Sequence, residues 1–82
     1  MTASESVSKT KLFATDRLKK SRELKSYTQQ EVVDIISLQS DENISFSTYS
    51  KIEQGIMAMS AQLALELARL LRVDVKEIVE RK

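Results

Sequence analysis

"YTQQEV", Tyr27 to Val32, is the stretch whose reading decides the fold. An apolar residue stands before a small hydroxyl, and a glutamate three positions later precedes a second apolar residue. Thr28 can accept from the backbone three residues on, and Glu31 can reach back to the Thr28 N–H. Tyr27 and Val32 have the spacing of a hydrophobic staple across that cap. This is a helix start. The same arrangement recurs in Val73, Asp74, Glu77 and Ile78, and again in Ile44, Ser45, Thr48 and Tyr49, with Thr48 in the glutamate position. Ser60, before "AQLALELARLL", is a fourth and simpler N-cap.

Working outward from these caps gives five helices. Strand signals are poor, because no segment alternates over more than a few residues. The chain has one glycine and no proline, so boundaries must be read from caps. The first helix is expected over about Thr10 to Lys25, offering Leu12, Phe13, Leu18 and Leu24. The second is expected from Gln29 to Leu38, burying Val32, Val33 and Ile36. A polar connection leads to the third, Phe46 to Gln54, which Gly55 stops. The fourth spans Ala61 to Leu71 and is apolar almost all round, as a central helix would be. The fifth is expected over Val75 to Glu80. Helices this short must draw their stability from shared packing.

Composition removes several function classes. The 82 residues suffice for one domain with a thin core. With no cysteine and no histidine, disulfides, thiolate or imidazole metal sites and His- or Cys-based catalysis are out of reach. No phosphate-cradling glycine loop is present either, so an enzyme is a poor reading and no cofactor is expected. No apolar run approaches a membrane span, and "MTASESVSKT" lacks the core of a secretory signal. A cytoplasmic protein, associated with the nucleoid if it binds DNA, is therefore expected. Residues 1–9 are Ser-rich and read as a flexible tail ahead of a domain over 10–82.

Charge is distributed unevenly. Seven bases (Lys9, Lys11, Arg17, Lys19, Lys20, Arg22, Lys25) face two acids, Asp16 and Glu23, between Lys9 and Lys25. Such a segment suits an anionic partner, and it equally suits a solvated helix flank. The third helix carries a similar ambiguity. At 100° per residue, Tyr49 and Ile52 point one way, and Ser47, Ser50, Lys51 and Gln54 the other, with Phe46 at the margin. Small donors and one cation suit a major groove about 12 Å wide. A polar surface with no partner would look the same.

Three pieces together carry more than either face alone. "RLKKSRELKSYTQQEVVDII", "ISFSTYSKIEQG" and "SAQLALELARLLRVDVKEI" resemble, in order and spacing, the Cro/phage-repressor (Xre-type, lambda-repressor-like) family of helix-turn-helix DNA-binding domains. The resemblance runs from Arg17 to Ile78. It implies an all-α, compact five-helix domain that binds double-stranded DNA as a homodimer and regulates transcription, as a repressor, without chemistry. It implies that the third helix enters the major groove, with Phe46, Ser47, Ser50 and Lys51 facing bases or adjacent phosphates. Gln29, Thr28, Arg22, Lys19 and Lys20 are then the expected phosphate contacts, Gln29 standing at a helix N-terminus where N–H groups and dipole favour an anion. Arg22 and Glu53 match positions that form an ion pair in several relatives. The dimer contact is implied near the fifth helix and the C-terminus, where Val75, Ile78 and Val79 are available for it or else close the monomer core.

The chain departs from the family pattern in places. "SLQSDEN", Ser37 to Asn43, lengthens a normally short turn, and Asp41 and Glu42 are expected to face away from DNA. Ser21 stands where relatives prefer an apolar residue, with Leu24 as its expected compensation. Arg72 replaces a glycine at the end of the fourth helix, and Phe46 replaces a polar residue and is expected to pack on the long connection. An antitoxin or protein-interaction module of the same fold is the rival function, with Phe46, Met57 and Met59 as its exposed surface.

Overall fold

The computed structural model describes residues 11–40 and 43–81. The expected tail lies outside these residues, as does the orientation of Asp41 and Glu42. The elements run β1 (Leu12–Ala14), α1 (Asp16–Leu24), α2 (Gln29–Gln39), α3 (Phe46–Glu53), α4 (Ala61–Leu71), α5 (Val75–Ile78) and β2 (Val79–Arg81). The five expected helices are present. None among the described residues is long and apolar enough to cross a membrane.

Each helix starts where a small polar side chain satisfies the first free N–H groups. Thr28 accepts from Glu31 N–H while the Glu31 carboxylate accepts from Thr28 N–H at 2.8 Å, a closed capping box. Ser45 and Ser60 accept from the N–H groups of Thr48 and Leu63. At Asp74 the box is open: the aspartate accepts from Lys76 N–H, and Glu77 pairs outward with Arg17 at 3.4 Å.

The chain ends differ from the sequence expectation. The first helix does not begin at Thr10. Leu12–Ala14 instead pairs antiparallel with Val79–Arg81 (Leu12 opposite Arg81, Phe13 opposite Glu80, Ala14 opposite Val79). Thr15 then caps α1, accepting from Arg17 N–H, donating its hydroxyl to Glu77 C=O at 2.7 Å and its N–H to Ile78 C=O at 2.9 Å. The last helix is correspondingly cut at Ile78. Met59 N–H donates to Leu12 C=O on the other side of β1.

Leu18, Val32, Ile36, Tyr49, Leu63, Leu67, Leu71 and Ile78 form the fully buried centre. Four further expectations are corrected by it. Leu24 is 84% exposed and compensates for nothing at Ser21. Met59 is buried under the ribbon and offers no surface. Helix α4 is one-sided, with Leu63, Ala64, Leu67, Ala68 and Leu71 inward and Leu65 outward. Ile78, placed by resemblance at a dimer contact, is fully buried within the monomer.

Three helices close with the same left-handed residue. Ser26 (φ 62°), Gly55 (φ 80°) and Arg72 (φ 58°) each let the next N–H reach back five residues: Tyr27 to Arg22 C=O, Ile56 to Lys51 C=O, and Val73 to Ala68 C=O. Only the middle one carries the residue that takes this conformation without steric cost.

Candidate nucleic-acid interface

Helix α3 docks on two large apolar residues, Tyr49 and Ile52, each of which contributes about 1.5–3 kcal/mol by burial. A narrow apolar stripe alone would leave its angle soft. The angle is held instead by Glu53, buried at its C-terminal end.

Four donors converge on that carboxylate. Arg22 from α1 gives Nε to Oε2 at 2.7 Å and Nη2 to Oε1 at 3.0 Å, the two-pronged geometry that suits guanidinium and carboxylate. Gln29, first residue of α2, gives Nε2 to Oε1 at 2.8 Å. Tyr49, one turn back on α3, gives its hydroxyl to Oε2 at 2.9 Å. The remaining Arg22 Nη1 donates to Tyr27 C=O at 2.7 Å, in the link between α1 and α2. One carboxylate therefore ties together α1, the start of α2 and the end of α3.

Electrostatics follow from that geometry. Burial pushes the Glu53 carboxyl up, but the hydrogen bonds from Arg22, Gln29 and Tyr49 outweigh it and hold the group below the usual carboxylate range. The hydrogen bond to Glu53 holds the Arg22 guanidinium above its ordinary value, despite burial. Burial, then the Glu53 charge, pushes the Tyr49 phenol far above its ordinary value, so it stays a donor. No buried side-chain polar atom among the described residues lacks a partner.

The clamp also explains how a long connection is compatible with a fixed helix pair. Helix α2 takes in Ser37–Gln39 of the added length, and the rest lies between its end and the start of α3. Glu53 joins the opposite ends, where α2 begins and α3 stops. Length added at one end leaves the tie at the other intact.

The residues expected to meet DNA separate into groups. Phe46, Ser47 and Lys51 are exposed along one side of α3, Phe46 to 47%. Ser50 is half-buried, and its hydroxyl accepts from Gln54 Nε2 at 3.1 Å. Lys19, Arg22, Gln29, Glu53 and Gln54 line one polar cleft of about 690 Å³ between α1, α2 and α3. Thr28 lies at its edge in sequence, with its hydroxyl engaged in the capping box. Lys20 is elsewhere on α1, 3.8 Å from Asp16 one turn earlier. The sequence reading missed Gln54 in the cleft and took Tyr49 only as an apolar anchor. A tyrosine four residues before a glutamate on one helix was the available signal for the second.

A helix-turn-helix family model, of Cro and phage-repressor type, matches residues 18–78. The chain belongs to that family. The match covers most of α1 and all of α2 through α5, the clamp included, and stops short of both strands. Comparison with curated proteins and with solved structures gave no match. A helix-turn-helix domain of this family is a DNA-binding module of transcription regulators, and its lambda-repressor-like fold is the one described above.

Proposed function

We propose that this helix-turn-helix domain is a sequence-specific repressor that occupies an operator in double-stranded DNA as a homodimer, with α3 in the major groove. It acts in the cytoplasm at the nucleoid, by occupancy and without chemistry.

The observation that carries this is the construction of α3. It is seated on only Tyr49 and Ile52, yet its orientation is fixed by three hydrogen bonds that Arg22 of α1 and Gln29 of α2 give to Glu53. Shallow seating leaves the outer side free to enter a groove, and the clamp fixes what that side presents. Ser47 and Lys51 are the base readers, Lys51 reaching guanine and Ser47 a base edge or phosphate. Phe46 offers its ring to a thymine methyl, and Ser50, shared with Gln54, contributes through that pair.

Phosphates flank the groove. Gln29, at the start of α2 where a helix N-terminus favours an anion, lines the same cleft as Lys19 and Arg22. A single short helix reads only a few base pairs. Two copies on a two-fold site, with half-sites about 10 bp apart, supply the specificity.

The test is selection of bound sequences from a random duplex library. A two-fold symmetric motif is the expected result. No enrichment at low salt would overturn the proposal. One observation favours a second reading, an antitoxin or other protein-interaction module: Ile56 and Met57, directly after α3, are exposed at 67% and 37%. A stoichiometric protein partner, with DNA binding weak in its absence, would favour that module.

A further inference from the structure

We propose that the last turn of α1 and the end of α4 form a docking surface for an acidic segment of a partner protein. The partner sets one large apolar side chain into the hollow beside Leu24 and its carboxylates on Lys25 and Arg72.

Helix α1 has two outward sides. At 100° per residue Leu24 lies opposite Lys19 and Arg22, which line the polar cleft. Leu24 is 84% exposed. A hollow of about 210 Å³ lies beside it, lined by Ser21, Leu24 and Lys25 of α1 and by Leu71, Arg72 and Val73 at the end of α4. Leu71 belongs to the buried core and Val73 packs against it, so the floor is apolar. On the other flank of Leu24 a second hollow, of about 330 Å³, is lined by Leu24 with Lys20 and Glu23. The first hollow is smaller than the roughly 300 Å³ at which pockets for drug-sized ligands begin. It suits a single side chain.

Three choices of residue at this place each work against stability. Leu24 leaves an apolar side chain in water. Arg72 holds φ 58°, where a β-carbon is strained and glycine is not. Ser21, small and polar over an apolar floor, leaves open a hollow that a larger apolar side chain would fill. Residues that lower stability persist where a function needs them, and three of them around one hollow mark a place of contact.

Charge names the occupant. Lys25 and Arg72 border the first hollow, and neither has an ion-pair partner among the described residues. Lys20, on the second, lies 3.8 Å from Asp16 with both side chains largely exposed, a loose surface pair. Glu23 is the one acid lining either hollow. Three cations against one acid attract carboxylates, and the apolar floor takes the side chain between them. A phosphate backbone would meet the cations and leave Leu24 uncovered. A membrane surface needs a broad apolar side to bury, whereas here one leucine stands beside a concavity. The contact is small and therefore transient.

The test titrates the isotope-labelled full chain with synthetic helical peptides: one of leucine and glutamate, one with lysine for every glutamate, and one with alanine for every leucine. The leucine–glutamate peptide is expected to shift the amide resonances of Ser21, Leu24, Lys25, Leu71, Arg72 and Val73 saturably, and less as salt rises. The other two should leave them in place. Ser21→Leu fills the hollow and Arg72→Gly removes a cation. Each should weaken the leucine–glutamate peptide roughly tenfold, as loss of a central anchor does, while the thermal midpoint holds or rises. Weaker binding by a chain at least as stable separates loss of the site from loss of the fold. No shift at these residues, equal shifts with the lysine peptide, or shifts on Lys19, Gln29 and Gln54 in the cleft instead would overturn the proposal. Unchanged affinity in both variants would do the same. So would stronger shifts of these residues by phosphatidylglycerol vesicles, which would make the surface a membrane contact.

Discussion

The Tyr49 hydroxyl donates to Glu53 Oε2 at 2.9 Å, one turn along the same helix, from a side chain with no exposed surface. The bond makes the apolar anchor of α3 and its polar clamp one unit. Removing the hydroxyl leaves the ring in place and takes one of four donors from a buried carboxylate. Tyr49→Phe should cost about 1.5–3 kcal/mol, the range for hydrogen bonds to charged groups. Arg22→Ala should cost more, about 3–5 kcal/mol, because it strands the charge. Urea denaturation of the two variants checks the order, and equal losses would deny Arg22 its larger share.

The clamp predicts an acid limb of stability. The Glu53 carboxyl is held below its ordinary value of 4.5 in the folded state. A depressed pKa means the unfolded chain binds the proton more readily, so the contribution is full above about pH 4.5 and is lost as pH falls through the folded value. Glu53→Gln should be less stable than wild type at neutral pH and flatter below pH 4.5. Parallel pH profiles of the two proteins would contradict the assignment.

Two helix ends carry a removable cost. Ser26 and Arg72 both sit in the left-handed region, where a β-carbon costs roughly 1–2 kcal/mol. Part of that is offset by the greater freedom glycine gives the unfolded chain. Arg72→Gly and Ser26→Gly should each stabilise by about 1 kcal/mol or less. Thermal denaturation checks both, and a lower midpoint for either would mean its side chain makes a compensating contact.

Lys19 and Lys20 are neighbours in sequence but not in surroundings. Lys19 lines the cleft with Arg22 and Gln29, whereas Lys20 lies near Asp16. Lys19→Ala should reduce the salt slope of binding by roughly one on every DNA sequence, as loss of one phosphate contact does. Lys20→Ala should leave it nearly unchanged. Equal slopes for the two would mean the cleft is not where phosphate sits.

The helices were legible because capping chemistry is local: Thr28, Ser45, Ser60 and Asp74 each announce a start within four residues. Arg72 was readable as a position wanting glycine. The ribbon was not legible, since three residues at each end of the chain form a strand only by meeting each other, and alternation over three residues is no signal. Its absence from the reading misplaced the start of α1 and left Met59 on the surface. The clamp was half legible. Arg22 and Glu53 came from resemblance, while the Gln29 and Tyr49 bonds depend on how three helix ends converge, which no local pattern contains. Leu24 shows the limit of helix periodicity: its apolar side chain was assigned inward on a helix whose start was set too early.

The central claim is that α3 reads base pairs through Lys51, and it is tested most directly by the affinity of Lys51→Ala for the selected site and for random duplex DNA of equal length and salt. The expected result is a loss of about 1–3 kcal/mol on the selected site, with little change on random sequence. An equal loss on both would assign Lys51 to phosphate and contradict base reading by this face of α3.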